Sequence, residues 1–240
     1  MDLDELRAAL DNSLPPQLAP IVDTVLSLAC PSAQLTVNDA GPHAGAYGGL
    51  PALPADVEWP HRSGQPLTLL AQLDCAVLSG VLGPAWTLPD QGTLLFFYDD
   101  ATLGADEQAA RVVHVNGHAP MRQAPADTVV IPQLPLTATP CWSLPEMGAG
   151  ELSSSMTADP LGTLDVLSRI SDLVPHTPHQ VLGWLGDGYY PPHPQLRPLL
   201  QVEAEQGTAW GECVRIAFLV PDEDLQQTHL DRVRIAYEVA

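Results

Sequence analysis

The chain has 240 residues, 45% of them hydrophobic, which excludes a disordered segment and allows a sizeable core. Its 29 acidic residues face nine basic ones, all arginine, for a formal charge of −20. That balance repels phosphate backbones and anionic lipid surfaces, so neither nucleic acid nor membrane is an expected partner, whereas a basic protein would be steered in.

The N-terminus, Met1-Asp2-Leu3-Asp4-Glu5, has no basic or apolar leader region, so no secretion signal is expected. Asp2 and Glu5 form a capping-box pattern for a first helix, with Leu3, Leu6 and Leu10 on one face and Asn12 and Pro15-Pro16 at its end. A second helix starts at Pro20, with Ile21, Val22, Val25, Leu28 and Ala29 as its apolar stripe. The 25 prolines then argue for short strands and stiff turns. Residues 67–73 and 93–98 are apolar runs of the kind buried on both faces, and 112–115 and 129–131 predict shorter strands. Residues 153–155, three serines, read as a loop. A third helix is predicted over 159–174, with Leu164, Leu167, Ile170 and Leu173 at helical spacing and Asp165 supporting Arg169 one turn on. Strands follow at 199–203 and 214–220. The last strand alternates, with Val233, Ile235, Tyr237 and Val239 inward and Arg234, Ala236 and Glu238 outward. No window holds about 18 consecutive apolar residues. Cys30, Cys75, Cys141 and Cys213 are far apart with no CxxC pair, which predicts buried free thiols in a reducing cytoplasm rather than disulfides or zinc.

Two stretches resemble each other. Leu69-Leu70-Ala71-Gln72-Leu73-Asp74, then 92–97, Asp100, Leu103 and Arg111-Val112, parallel Leu199-Leu200-Gln201-Val202-Glu203, then 214–219, Asp222, Leu225 and Arg232-Val233. Gly49 has its counterpart in Gly183. A glutamine inside an apolar strand, followed in order by an aromatic strand and an acidic turn, predicts a duplicated unit folded as a pseudo-twofold pair around one core. The fold class expected is α+β, with mainly antiparallel sheets. The organisation is an N-terminal helical segment over 1–45, a first β-rich repeat over 46–145, a connecting helix over 146–178 and a second repeat over 179–240.

The run Gly48-Gly49-Leu50-Pro51-Ala52-Leu53-Pro54, then Glu58-Trp59-Pro60, Gly64, Pro66-Leu67 and Leu70-Ala71-Gln72-Leu73, resembles the signature of the YwqG-like bacterial family. Ser143-Leu144-Pro145, His179-Gln180-Val181-Leu182-Gly183 and Trp210-Gly211-Glu212 fit the same pattern in order. The resemblance covers about residues 45–240. It implies an α+β fold with a duplicated antiparallel unit and, for a family of unknown function, no activity. Trp184 stands where the family has a second glycine, Glu212 where it has Asp, and Val214 where it has Gly.

Candidate site residues follow from the chemistry of unusual positions. Gln72 and Gln201 either tie down a neighbouring loop or line a pocket on the pseudo-twofold axis. Trp59, Trp210, Tyr189 and Tyr190 either pack turns against the sheet or present a recognition surface, with Glu212 beside Trp210. Asp99-Asp100 and Asp222-Glu223-Asp224 read as caps of short helical turns, since neither completes a calcium loop. His176 and His179, three apart in a proline-rich stretch, and His114 and His118, separated by an Asn-Gly turn, have no acidic or thiol ligand nearby in sequence, so no metal is assigned. GxSxG, HExxH and a phosphate loop ending in Lys are absent from the sequence, and no cofactor is implied. The expectation is a non-enzymatic protein-binding module, immunity- or antitoxin-like toward a basic protein. The alternatives are a hydrolase or transferase, or a small-molecule sensor, with a cleft between the repeats near Gln72 and Gln201.

Overall fold

The computed structural model describes residues 2–38, 40, 42–101, 108–186, 189, 195–227 and 229–239. Leu103 and Tyr190 lie outside the described residues. In chain order the elements are α1 (Leu3–Ser13), α2 (Ala19–Ser27), β1 (Cys30–Val37), β2 (His43–Tyr47), β3 (His61–Arg62), β4 (Gln65–Pro66), β5 (Thr68–Asp74), α3 (Cys75–Leu82), β6 (Thr93–Tyr98), β7 (Ala110–Val115), β8 (Leu134–Ser143), α4 (Ser153–Ala158), α5 (Pro160–Leu173), β9 (His179–Val181), β10 (Leu196–Glu203), β11 (Cys213–Pro221), α6 (Asp222–Gln227) and β12 (Arg234–Val239). Asp2 accepts the Glu5 N–H at 2.8 Å while Glu5 accepts the Asp2 N–H at 3.0 Å, completing the capping box of α1. Asp74 and Asp159 cap α3 and α5 through the amides of Ala76, Val77 and Gly162.

Among the described residues ten strands form one antiparallel sheet in the order β12-β11-β10-β9-β1-β8-β2-β5-β6-β7; β3 and β4 make a separate ribbon. The sheet curls until its arms face each other in a nearly closed, barrel-like form. Phe96 on β6 and Phe218 on β11 meet edge to face at 5.2 Å, and Tyr98 meets Trp210 at 6.1 Å. One apolar core joins both arms, from Tyr47, Leu70 and Phe96 to Leu200, Phe218 and Ile235. The outer face of the first arm is covered by Leu53, Trp59 and Ala119, that of the second by Tyr189 over Ala217, Leu219 and Ala236. The helices keep a core of their own, in which Leu6, Leu10, Val22 and Val25 pack on Val166 and Ile170 of α5. Gly162 makes that approach possible, since a Cβ there would stand 2.7 Å from Leu18 Cδ2. Among the described residues no helix is long and apolar enough to cross a membrane.

Several sequence expectations change. Residues 75–82, for which no helix is expected, form one, since apolar residues on nearly all sides, interrupted only by Ser79 and Gly80, blur any stripe; α3 packs against β1, β2, β5 and β8. Residues 153–155 open α4 rather than a loop. Residues 129–131 make no strand: Val129 and Val130 are exposed, and Ile131 contributes its carbonyl to Gly49 N. On α5 the buried face is Gly162, Thr163, Val166 and Ile170, while Leu164 is exposed. Arg169 reaches Ser13 Oγ and Asp172. Ala236, expected outward, is fully buried because the second arm is covered on that side too. Segment 1–45 is not helical throughout. It contributes β1, which pairs along its whole length with β8 at the middle of the sheet, despite Pro31, Pro135 and Pro140. The cysteines are all free, but only Cys75 and Cys213 are buried; Cys30 and Cys141 are partly exposed.

Candidate functional site

Gln72 and Gln201 perform the same task on opposite arms. Gln72 Nε2 donates to Leu50 O at 3.0 Å and its Oε1 accepts from Ala52 N at 3.3 Å. Gln201 Nε2 donates to Trp184 O at 2.9 Å and its Oε1 accepts from Gly186 N at 3.4 Å. Each amide thus satisfies one carbonyl and one amide of the loop that enters the strand pair. The loops turn on consecutive left-handed residues, Gly48 (φ 63°) and Gly49 (φ 82°) in one arm, Leu182 (φ 60°) and Gly183 (φ 86°) in the other. The second left-handed position beside Gly183 is therefore filled by Leu182, and Trp184 takes the place of Leu50 as the residue whose carbonyl accepts from the glutamine. Its indole donates to Leu28 O at 2.8 Å and carries Arg197 over its ring at 5.7 Å.

A cleft of about 520 Å³ opens between α5 and the outer face of the second arm. Its size is that of ligand sites in general. Leu164, Leu167 and Ser171 line one wall from successive turns of α5, and Trp142 and Met147 stand on the rim. Trp142 (38% exposed), Met147 (53%) and Leu164 (38%) leave apolar surface open to solvent there. Gln180, Gln201 and Arg215 supply the floor from three neighbouring strands. Gln180 on β9 lies directly opposite Gln201 on β10, and Glu203, Arg215 and Glu238 follow one another across β10, β11 and β12. Direct opposition in antiparallel strands brings these side chains into contact. Arg215 Nε lies 3.2 Å from Glu203 and 3.1 Å from Glu238, and His176 Nε2 lies 2.5 Å from Glu203. Ser143 Oγ accepts from Gln180 Nε2 at 3.1 Å and from Trp184 N at 2.9 Å, which fixes the cleft's end of β8.

Tyr189 is 7% exposed and lines this cleft. Its hydroxyl is buried and, among the described residues, finds no acceptor for its proton. Burial pushes its phenol well above the usual tyrosine value, against the pull of nearby Arg215. The cleft is therefore lined by a neutral tyrosine, whose hydroxyl proton has no acceptor among the described residues, beside a guanidinium already flanked by two carboxylates.

Of the pair expected to share a site, Gln201 lines the cleft and Gln72 does not. Trp59 is buried in the first arm's outer cover, donating to Leu67 O at 3.0 Å under Arg122. Trp210 is buried in the central core and donates to Tyr98 OH at 3.0 Å. Glu212 is exposed on a turn beside it. Arg232 grips Asp224 and Glu223 of the second acidic turn. His179 is buried, accepting Glu203 N–H at Nδ1 (3.2 Å) and meeting Glu205 at Nε2 (3.0 Å). Acidic partners for both histidines thus come from β10 and the turn after it, distant in sequence. Among the described residues no three His, Cys, Asp or Glu side chains are grouped to hold a metal ion. Arg215, Gln180, Ser143 and Trp142 were not singled out as site residues. Arg215 carried one signal, a lone cation inside the apolar run 214–220.

A family model described as a domain of unknown function, DUF1963, matches residues 46–238. No curated protein matches the chain.

Proposed function

The chain belongs to the DUF1963 family, whose description carries no activity, and from its own cleft we propose that it is a non-enzymatic module that binds a basic protein partner. The observation that carries the reading is the open cleft of about 520 Å³ with exposed Trp142, Met147 and Leu164 at its mouth, on a chain of charge −20. Exposed apolar side chains grouped around a concavity, on a chain of strongly negative net charge, suit a partner that brings apolar anchors within a basic surround. The most concrete form is an immunity- or antitoxin-like protein that neutralises a basic toxin.

The finer likeness is to the YwqG-like members, with the sheet read as two copies of one unit. Matched details support the duplication. Leu69 pairs with Phe97 and Pro198 with Leu219; each strand then skips one residue, Leu70 or Leu199, before Ala71 meets Phe96 and Leu200 meets Phe218. The glutamine bonds and left-handed turns repeat in the same register.

Capture from native lysate tests the binding reading. Wild type is compared with a Trp142→Ala/Leu164→Glu double variant, both checked for an unchanged melting profile. Partners should be held by wild type, lost by the variant and released by about 0.5 M NaCl. Identical retained sets, or partners indifferent to salt, overturn it.

A further inference from the structure

Among the described residues three buried side-chain oxygens make no hydrogen bond, those of Thr128, Tyr189 and Glu238, and of these three only Tyr189 lines the cleft. A buried phenol is normally hydrogen-bonded, and one left unpaired costs the protein stability. Here Tyr189 lines a solvent-connected cleft with its hydroxyl buried in the wall, and its neighbour Arg215 has its Nε between Glu203 and Glu238. The terminal nitrogens lie beyond that contact, and Nη1 stands 3.4 Å from where a Cβ on Gly186 would be. The guanidinium only donates, and the phenol, which can also accept, has a hydroxyl proton with no acceptor among the described residues, so together they ask for an acceptor. Charge decides which acceptor. Two carboxylates already oppose one cation, so an anionic ligand would meet net repulsion, while a neutral carbonyl oxygen takes both donors without it.

The walls narrow the class further. Leu164, Leu167 and Ser171 span eight residues of α5, about 10 Å of helix, which matches about three residues of extended chain. One side of this trough is apolar and the floor is polar. An extended segment with side chains alternating between the faces fits that division.

We infer that the cleft binds an extended, basic-apolar peptide segment of the partner, with apolar side chains against Leu164, Leu167 and Trp142 and a backbone carbonyl oxygen held by the Tyr189 hydroxyl and the Arg215 guanidinium. This deepens the binding function proposed above and rests on it. Basic residues in the segment answer the chain's negative charge, and Gly186 leaves the approach to Arg215 open, since a side chain there would stand against Glu146 and Arg215.

The test uses blocked decapeptides alternating Arg with Leu, a matched Glu/Leu set, and fluorescence anisotropy near physiological salt on the full chain. Wild type should bind the Arg/Leu peptide saturably and the Glu/Leu peptide not at all. Leu164→Glu should abolish binding, although it adds a negative charge that would strengthen any merely electrostatic attraction. Tyr189→Phe should weaken binding about fivefold. The free Tyr189→Phe protein should melt at or above the wild-type temperature, because an unpaired hydroxyl has been removed. Tyr189→Phe binding as well as wild type, with Leu164→Glu still defective, overturns the carbonyl assignment and leaves the binding face standing. A Tyr189→Phe protein that melts lower shows a structural bond and overturns the assignment too. Binding untouched by Leu164→Glu, equal binding of the Glu/Leu set, or no binding of either peptide overturns the peptide class; lysate capture, which reads whole partners, is scored separately.

Discussion

Phe96 and Phe218 meet edge to face at 5.2 Å with their rings at 76°, although β6 and β11 stand near opposite ends of the strand order. The contact closes the sheet on itself and makes one core of two arms. Phe96→Ala and Phe218→Ala should each destabilise the fold by about 3–5 kcal/mol. The double variant should lose less than the sum, by about 0.5–1.5 kcal/mol, for the shared ring contact. Urea denaturation of the four proteins measures this; strict additivity would mean that the arms do not lean on each other through these rings.

The two strand glutamines act on loops, and their removal should be felt locally. Gln72→Leu strands Leu50 O and Ala52 N, and Gln201→Leu strands Trp184 O and Gly186 N. Each should cost about 1–3 kcal/mol. Hydrogen exchange should rise at Ala52 in the first variant and at Gly186 in the second, with the other loop unaffected. Only Gln201→Leu should alter the cleft.

Gly183 combines a φ of 86° with crowding, since a Cβ would stand 2.5 Å from Gln180 Nε2 and 2.7 Å from Ser143 Oγ. Gly183→Ala should therefore destabilise by about 1–3 kcal/mol. Gly64→Ala is the control: it has similar backbone geometry, with no atom within 4 Å of a Cβ, and should cost less. Thermal melts compare them, and equal losses would show that backbone conformation alone decides.

The Asp224 carboxylate is almost fully buried and held by Arg232, whose hydrogen bonds keep its pKa below the ordinary aspartate value. A carboxyl depressed in the folded state adds stability above its unfolded pKa and loses it as pH falls through the folded value. The gap in urea midpoint between wild type and Arg232→Gln should thus be widest near neutrality and shrink between about pH 5 and about pH 3. A gap that stays constant over that range would remove Asp224 as its source.

Burial pushes the Cys75 and Cys213 thiols up to about 11. At about pH 8 an aromatic disulfide reagent should leave both untouched in the folded protein and react with them only after unfolding. Cys30 and Cys141, partly exposed but also shifted upward by desolvation, should react slowly. Fast native labelling of Cys75 or Cys213, located by peptide mass, would contradict their burial.

Local chemistry was legible in the sequence wherever one short window held all the interacting groups. The Asp2–Glu5 capping box, the start of α5 at Pro160, and the apolar runs of β5, β6 and β11 each depend on neighbours within a turn or on two-sided burial. The repeated glutamine was visible too, because an amide in an apolar strand stands out. Tertiary structure alone decided what the amides reach, that Gln72 and Gln201 do not share the cleft, and that β1 and β8 pair at the middle of the sheet despite their prolines. It also decided that Arg215 falls between Glu203 and Glu238, and that the Tyr189 hydroxyl is buried with no acceptor for its proton among the described residues. The physical reason is separation along the chain. Cross-strand contacts join residues tens to over a hundred positions apart, and their energy depends on which register the closed sheet adopts, a property no single window of sequence contains.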